Sequence, residues 1–251
     1  MKFKLLFLLA CLSFVGQWAH ALEHQFAGDY NEQDSTSNGD SVDPDFNGFP
    51  LAFGVNMGTT GFGLHFSMPI SSQFGWRASW DYMPFSTSIK GTYSNRATNT
   101  DVKAKANSLS LLLGYTPFVK STGFFKSFGI NIGAAYFLKL KGDMVTRLRD
   151  PYKFGDIDVS PDLVGLINTD VKWKESFAPY AGLALNNIVI DSKFSAFVDL
   201  GCYYLSKPTV QMSGTGLLEE NSANAATVQE NIKNYRYLPR VTAGFAYRWK
   251  N

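Results

Sequence analysis

From residue 49 to residue 249 apolar and polar positions alternate in a series of runs, most plainly in the last. Pro239, Val241, Ala243, Phe245, Tyr247 and Trp249 share one face; Arg240, Thr242, Gly244, Ala246 and Arg248 share the other. A period of two marks a β-strand with unlike faces. Seven earlier runs repeat the pattern. They are Phe49–Gly58, Phe62–Ile70, a run from Trp76 to Tyr82, about Asp101 to Thr116, Phe128–Lys141, about Val171 to Leu185, and Phe194–Leu205. In the third, Trp76, Ala78, Trp80 and Tyr82 oppose Arg77, Ser79 and Asp81. In the fifth, Phe128, Ile130, Ile132, Ala134, Tyr136, Leu138 and Leu140 oppose Gly129, Asn131, Gly133, Ala135, Phe137, Lys139 and Lys141. In the sixth, Val171, Trp173, Phe177, Pro179, Ala181, Leu183 and Leu185 are in phase. The alternation predicts an all-β chain of eight strands.

A soluble sandwich also alternates, so three further features decide. The polar face is rich in Gly, Ala and Ser, as a narrow barrel interior requires. The runs are long for a globular sheet but suit tilted membrane strands. Connections after the second, fourth and sixth strands are short or moderate. Those after the third, fifth and seventh (roughly 91–101, 142–170 and 206–236) are long and polar, the asymmetry of outer-membrane barrels. The prediction is a closed antiparallel up-and-down transmembrane β-barrel spanning 48–251, with both termini on the periplasmic side. A hairpin inside 142–170, where Asp162–Asn168 is partly apolar, would raise the count to ten. Residues 219–236, without Gly or Pro, predict a short helix.

The ends of the chain agree with export. Lys2 and Lys4 precede an apolar run, Leu5–Val15, and Ala19-His20-Ala21 is a cleavage pattern. Residues 1–21 therefore read as a cleavable signal peptide. A lipoprotein signal ending at Cys11 is the rival, but leaves an apolar core of about six residues. No later run reaches the length of a membrane helix. Residues 22–47 hold seven acidic side chains and no Lys or Arg, and read as a flexible acidic segment. Without Lys2 and Lys4 the formal charge is zero, but residues 48–251 carry 21 basic against 14 acidic groups. With Cys11 removed, Cys202 is alone and no intramolecular disulfide can form.

Thr242, Gly244, Tyr247 and Trp249 fit a C-terminal pattern of polar residue, glycine and two aromatics. On that pattern and the strands of 48–251, the chain resembles the small Gram-negative outer-membrane barrels of the OmpA and OmpX transmembrane type. The resemblance implies insertion by the barrel assembly machinery, with these four residues as its signal. It implies no single activity, since such barrels serve as anchors, adhesins, defence factors and enzymes.

Candidate chemistry is sparse. After the signal peptide only His24 and His65 remain, and His65 points inward. A lipid-trimming barrel enzyme needs an outward Ser–His–acid set, and none is found. Asp43, Asp45, Asn47 and Gly48 open a calcium-loop pattern whose closing Glu is replaced by Gly54. No cofactor, metal or nucleic-acid partner is expected. The lumen-facing polar set is His65, Arg77, Asp81, Asn131, Lys139, Lys141, Asp199, Tyr203, Arg240 and Arg248. Its five Lys and Arg against two Asp read either as a paired plug with charged rims or as a narrow path for small anions. Trp76, Tyr115, Phe128, Tyr247 and Trp249 predict the periplasmic membrane girdle; Trp173 and Tyr82 are candidates for the outer one. Outward Lys103 and Lys105 are placed to contact lipopolysaccharide phosphates or to remain solvated. The expected protein is a monomeric, non-enzymatic outer-membrane barrel in contact with lipid and lipopolysaccharide. Its loops would serve surface interaction or envelope integrity; a narrow pore for small polar or anionic solutes is the alternative.

Overall fold

The computed structural model describes residues 51–93, 96–155, 157–174 and 176–249. The signal peptide, acidic segment, His24 and calcium-loop readings lie outside them. Twelve strands are described. β1 (Leu51–Gly58), β2 (Gly61–Pro69), β3 (Phe74–Tyr93) and β4 (Arg96–Tyr115) follow one another as hairpins. Then come β5 (Phe128–Leu148), β6 (Tyr152–Phe154), β7 (Ile157–Val159), β8 (Leu166–Trp173), β9 (Phe177–Val189), β10 (Phe194–Tyr204), β11 (Pro208–Gly214) and β12 (Tyr237–Trp249).

Eight of these close a ring in the order β1-β2-β3-β4-β5-β9-β10-β12, every pair antiparallel. The seam between β12 and β1 runs in register from Leu51 opposite Trp249 to Gly58 opposite Thr242. Closure pairs every strand edge of the ring, which lipid demands because it cannot hydrogen-bond a free backbone. The burial pattern is that of a membrane barrel. Phe53, Val55 and Met57 on β1 are 56–66% exposed, whereas Asn56 beside them is 4% exposed. Similar rows of exposed Leu, Ile and Phe run around β2, β4, β5, β9 and β10. A continuous apolar belt of this kind is stable only against hydrocarbon.

The ends of the barrel are unequal. At the end carrying Leu51 and Trp249, β2 joins β3 and β9 joins β10 by short turns. In the second turn Asp191 accepts the backbone N–H of Lys193 at 2.6 Å and of Phe194 at 2.7 Å, and these bonds hold its carboxyl below the usual range. At the opposite end β3 and β4 extend well beyond the belt, paired as far as Tyr93 opposite Arg96. The stretch 91–101, expected as a loop, is therefore mostly strand. Thr100 and Thr146 hydroxyls meet at 3.0 Å across β4–β5, and Arg147 pairs with Asp101 at 2.7 Å. Outside the membrane both strand faces are wet, so the extension lacks the hydrophobic alternation that reveals a strand.

The expected sixth strand is two. β8 ends at Trp173 and β9 starts at Phe177. β9 pairs with the half of β5 nearer the chain termini, β8 with its far half, and β11 with β8. Val171 is buried, not in phase with the outward face of β9. Ten strands thus share one sheet, but the ring stays at eight. β6 and β7 pair antiparallel as a separate two-stranded sheet, followed by a short helix α1 (Pro161–Val164). The helix expected in 219–236 is α2 (Ala225–Ile232), preceded by 3-10 turns over Gly216–Asn224.

A β-bulge in β5 changes the facing of its outer half. Ser108 lies opposite Phe137 but Asn107 opposite Lys139, so Leu138 is the extra residue. The alternation reverses there. Phe137 is buried, Lys139 is exposed, and Leu140 packs against the interior cluster. Lys139 and Lys141, expected in the lumen, therefore lie on the outer face.

Candidate functional site

The lumen is the place where polar chemistry concentrates. β3 contributes Arg77, Ser79 and Asp81, β10 contributes Asp199 and Tyr203, and β12 contributes Arg240 and Thr242, all buried. Asp199 is reached by three donors: Asn131 Nδ2 at 2.6 Å, Arg77 at 3.5 Å, and the Tyr180 hydroxyl. Asp81 accepts from Asn56 Nδ2 at 2.5 Å and Ser79 Oγ at 3.4 Å, with Arg240 at 3.5 Å. β3 and β10 stand opposite each other in the ring, so the Arg77–Asp199 pair is a strut across the barrel. Asn186 accepts from Arg77 at 3.1 Å and exchanges amide bonds with Asn131.

Rings fill the space between these charges. Arg77 lies over the Phe197 ring at 3.5 Å, and His65 meets Phe197 edge-on at 4.9 Å. Arg240 lies 5.6 Å from Tyr180 and 5.8 Å from Tyr203. Tyr203 packs on Tyr180 at 4.9 Å and on Phe137 at 5.5 Å. Leu112 and Leu205 complete the cluster. Glycines make this filling possible. A Cβ at Gly244 would sit 2.4 Å from the Phe197 ring, and one at Gly201 only 2.3 Å from the Tyr180 hydroxyl. Gly244, read from sequence as part of an assembly signal, is thus also required by packing.

The seal occupies the middle of the barrel. Asp199 and Arg240 are 0% exposed, and Asp81, Tyr203 and Thr242 are 1% exposed. Toward the chain termini a vestibule of about 170 Å³ remains, bordered by His65, Ser67, Arg77, Asn186 and Arg248. Arg248 is a rim group, donating to the backbone carbonyl of Asp191 and to that of Phe194 at 3.4 Å. With Lys139 and Lys141 outside, the sealed section holds two Arg and two Asp. The excess of five cations over two acids, on which the alternative of an anion path rested, does not exist there.

The aromatic residues expected at the membrane edge lie at the end carrying the termini. Tyr115 stacks on Phe74 at 4.8 Å, Tyr247 meets Phe194 at 5.5 Å, and Trp76 meets Phe66 at 5.7 Å. Trp249 is exposed beside the seam, and Phe128 is half-buried opposite Leu185. At the other end Tyr82 is exposed, and Trp80 donates Nε1–H to Asn107 at 2.8 Å. Trp173 is not lipid-facing: it packs toward the interior cluster and donates to the Tyr235 carbonyl at 3.3 Å.

Sequence reading did not single out Asn56, Tyr180, Asn186 or Phe197. Asn56 was in phase with the lumen, and so was Tyr180 once Pro179 faced outward. Asn186 lies just past Leu185, the expected end of the sixth strand. β9 instead continues through it, with a bulge where Asn187 takes a positive φ of 49°. The Asn-Asn pair was the available signal, since asparagine tolerates that conformation. Among the described residues, no three His, Cys, Asp or Glu side chains gather to hold a metal ion.

No family model and no curated protein matches the sequence. Solved structures share the fold, two of them as follows. The crystal structure of Acinetobacter baumannii CarO has a TM-score of 0.58 at 22% identity, covering 80% of this chain and 98% of that one. That of Acinetobacter baumannii CarO2 has a TM-score of 0.59 at 19% identity, covering 80% and 99%.

Proposed function

We propose that this protein is a sealed, non-enzymatic barrel of a Gram-negative outer membrane. Both termini face the periplasm, and the long hairpins beyond the opposite rim carry its role in surface interaction or envelope integrity. The observation that carries the reading is the plug: two Arg–Asp pairs and four aromatic rings fill the section that any solute would have to cross. The narrow anion pore loses its charge argument, because the paired section is neutral. The orientation rests on the unequal ends, with short turns beside the termini and the β3–β4 hairpin and β8–β11 extension on the other side.

An epitope inserted at 94–95, between β3 and β4, is expected to bind antibody on intact cells. The same epitope at Ser71–Ser72 is expected to bind only after the outer membrane is permeabilised. Labelling at Ser71–Ser72 on intact cells, with the 94–95 epitope silent, would reverse the orientation.

A further inference from the structure

The bulge at Leu138 creates a feature absent from simple alternation. Lys105 on β4 lies directly opposite Lys141 on β5, and Lys141 directly opposite Lys172 on β8. Three lysines therefore stand in one cross-strand row on the outer face. Neighbouring side chains in such a row start about 5 Å apart, and like charges placed directly opposite destabilise a sheet. Lys139 lies one step nearer the apolar belt, opposite Asn107. Lys103 lies one step farther out, opposite Asp143, which in turn faces Asp170. Five lysines thus share the patch with two carboxylates. Lys141 is bound to Asp143 at 2.6 Å, and that bond, with the nearby Lys105 charge, keeps the Asp143 carboxyl below its usual range. The patch stays cationic after this pairing.

Its height suits one class of ligand. Tyr82, Asn107 and Lys139 share a level on adjacent strands, and Pro84, Lys105, Lys141 and Lys172 form the next level outward. Below them Leu109, Leu111, Ile132, Tyr136 and Leu138 present exposed apolar surface. A residue pair advances about 6–7 Å along a strand, so the row begins where hydrocarbon gives way to headgroups. Acyl chains on the belt and phosphates on the lysines would engage one amphiphile at once.

We propose that Lys105, Lys141 and Lys172, flanked by Lys103 and Lys139, form a binding site for the phosphorylated headgroup of lipopolysaccharide in the outer leaflet. The site rests on the orientation proposed above, which the epitope experiment tests separately; binding in detergent does not depend on it.

The test compares the folded protein in detergent with the K105Q/K141Q/K172Q variant, both checked for heat-modifiable migration. Affinity for rough-type lipopolysaccharide is expected to fall by on the order of tenfold to a hundredfold in the variant. A K120Q/K126Q control, altered in the 116–127 connection at the far rim, is expected to bind as the native protein does. Enzymatically dephosphorylated lipopolysaccharide is expected to bind native protein as weakly as the intact lipid binds the triple variant. Equal binding of intact lipid by native protein and the folded triple variant would overturn the proposal. So would equal binding of phosphorylated and dephosphorylated lipid by the native protein.

Discussion

Replacing Asp199 by alanine is expected to destabilise the folded barrel by about 3–5 kcal/mol, the cost of breaking a buried ion pair from one side. Asp199 is wholly buried and receives Arg77, Asn131 and Tyr180. Truncation leaves the buried Arg77 guanidinium without its carboxylate, at a position water reaches only from the vestibule side. The R77M/D199L double variant removes both charges and should recover most of that loss, since apolar replacements of buried pairs are often neutral or better. Urea titration of folding into lipid vesicles, read by heat-modifiable migration, measures both. A D199A loss below about 1 kcal/mol would mean the strut is hydrated rather than sealed.

The second large effect is on the opposite face. Leu111 is 59% exposed on β4, near the middle of the apolar belt. In a water-soluble sheet an exposed leucine tolerates arginine within about 0.5 kcal/mol. In a membrane the same change at mid-depth costs about 2–4 kcal/mol, falling to about 0–1 at the interface. Leu111→Arg is therefore expected to be strongly destabilising in vesicles. Ser86→Arg, on the same face of the sheet but beyond the belt, should cost at most about 1 kcal/mol, from the like charge of Lys103 opposite it. Equal, small effects at both positions would mean that Leu111 does not face hydrocarbon.

What was legible in the sequence follows from where water is excluded on one face only. β1, β2, β10 and β12 cross the membrane with lipid on one side and a packed lumen on the other, and the facing of Asn56, His65, Asp199 and Arg240 followed directly from their alternation. Features without that contrast were hidden. The bulge in β5 was masked because Leu138 and Leu140 are both apolar, so a reversal between them leaves the pattern unbroken. It moved Lys139 and Lys141 from the lumen to the outside and removed the basis for an anion path. The break between β8 and β9 was masked because Trp173 and Phe177 are aromatic and evenly spaced. The β3–β4 extension was hidden because Ser86, Thr87 and Ser88 are solvated on both faces. The partners inside the lumen belong to contacts across the ring, such as Arg77 with Asp199 122 positions away, which no local pattern encodes.

A barrel that closes in the membrane around a sealed, charge-paired lumen should pass no ions, and single-channel recording of the heat-modifiable, folded protein in planar bilayers measures this. Insertion without steady conductance at moderate voltage is expected; reproducible conductance steps from purified protein, absent with the boiled sample, would contradict the seal.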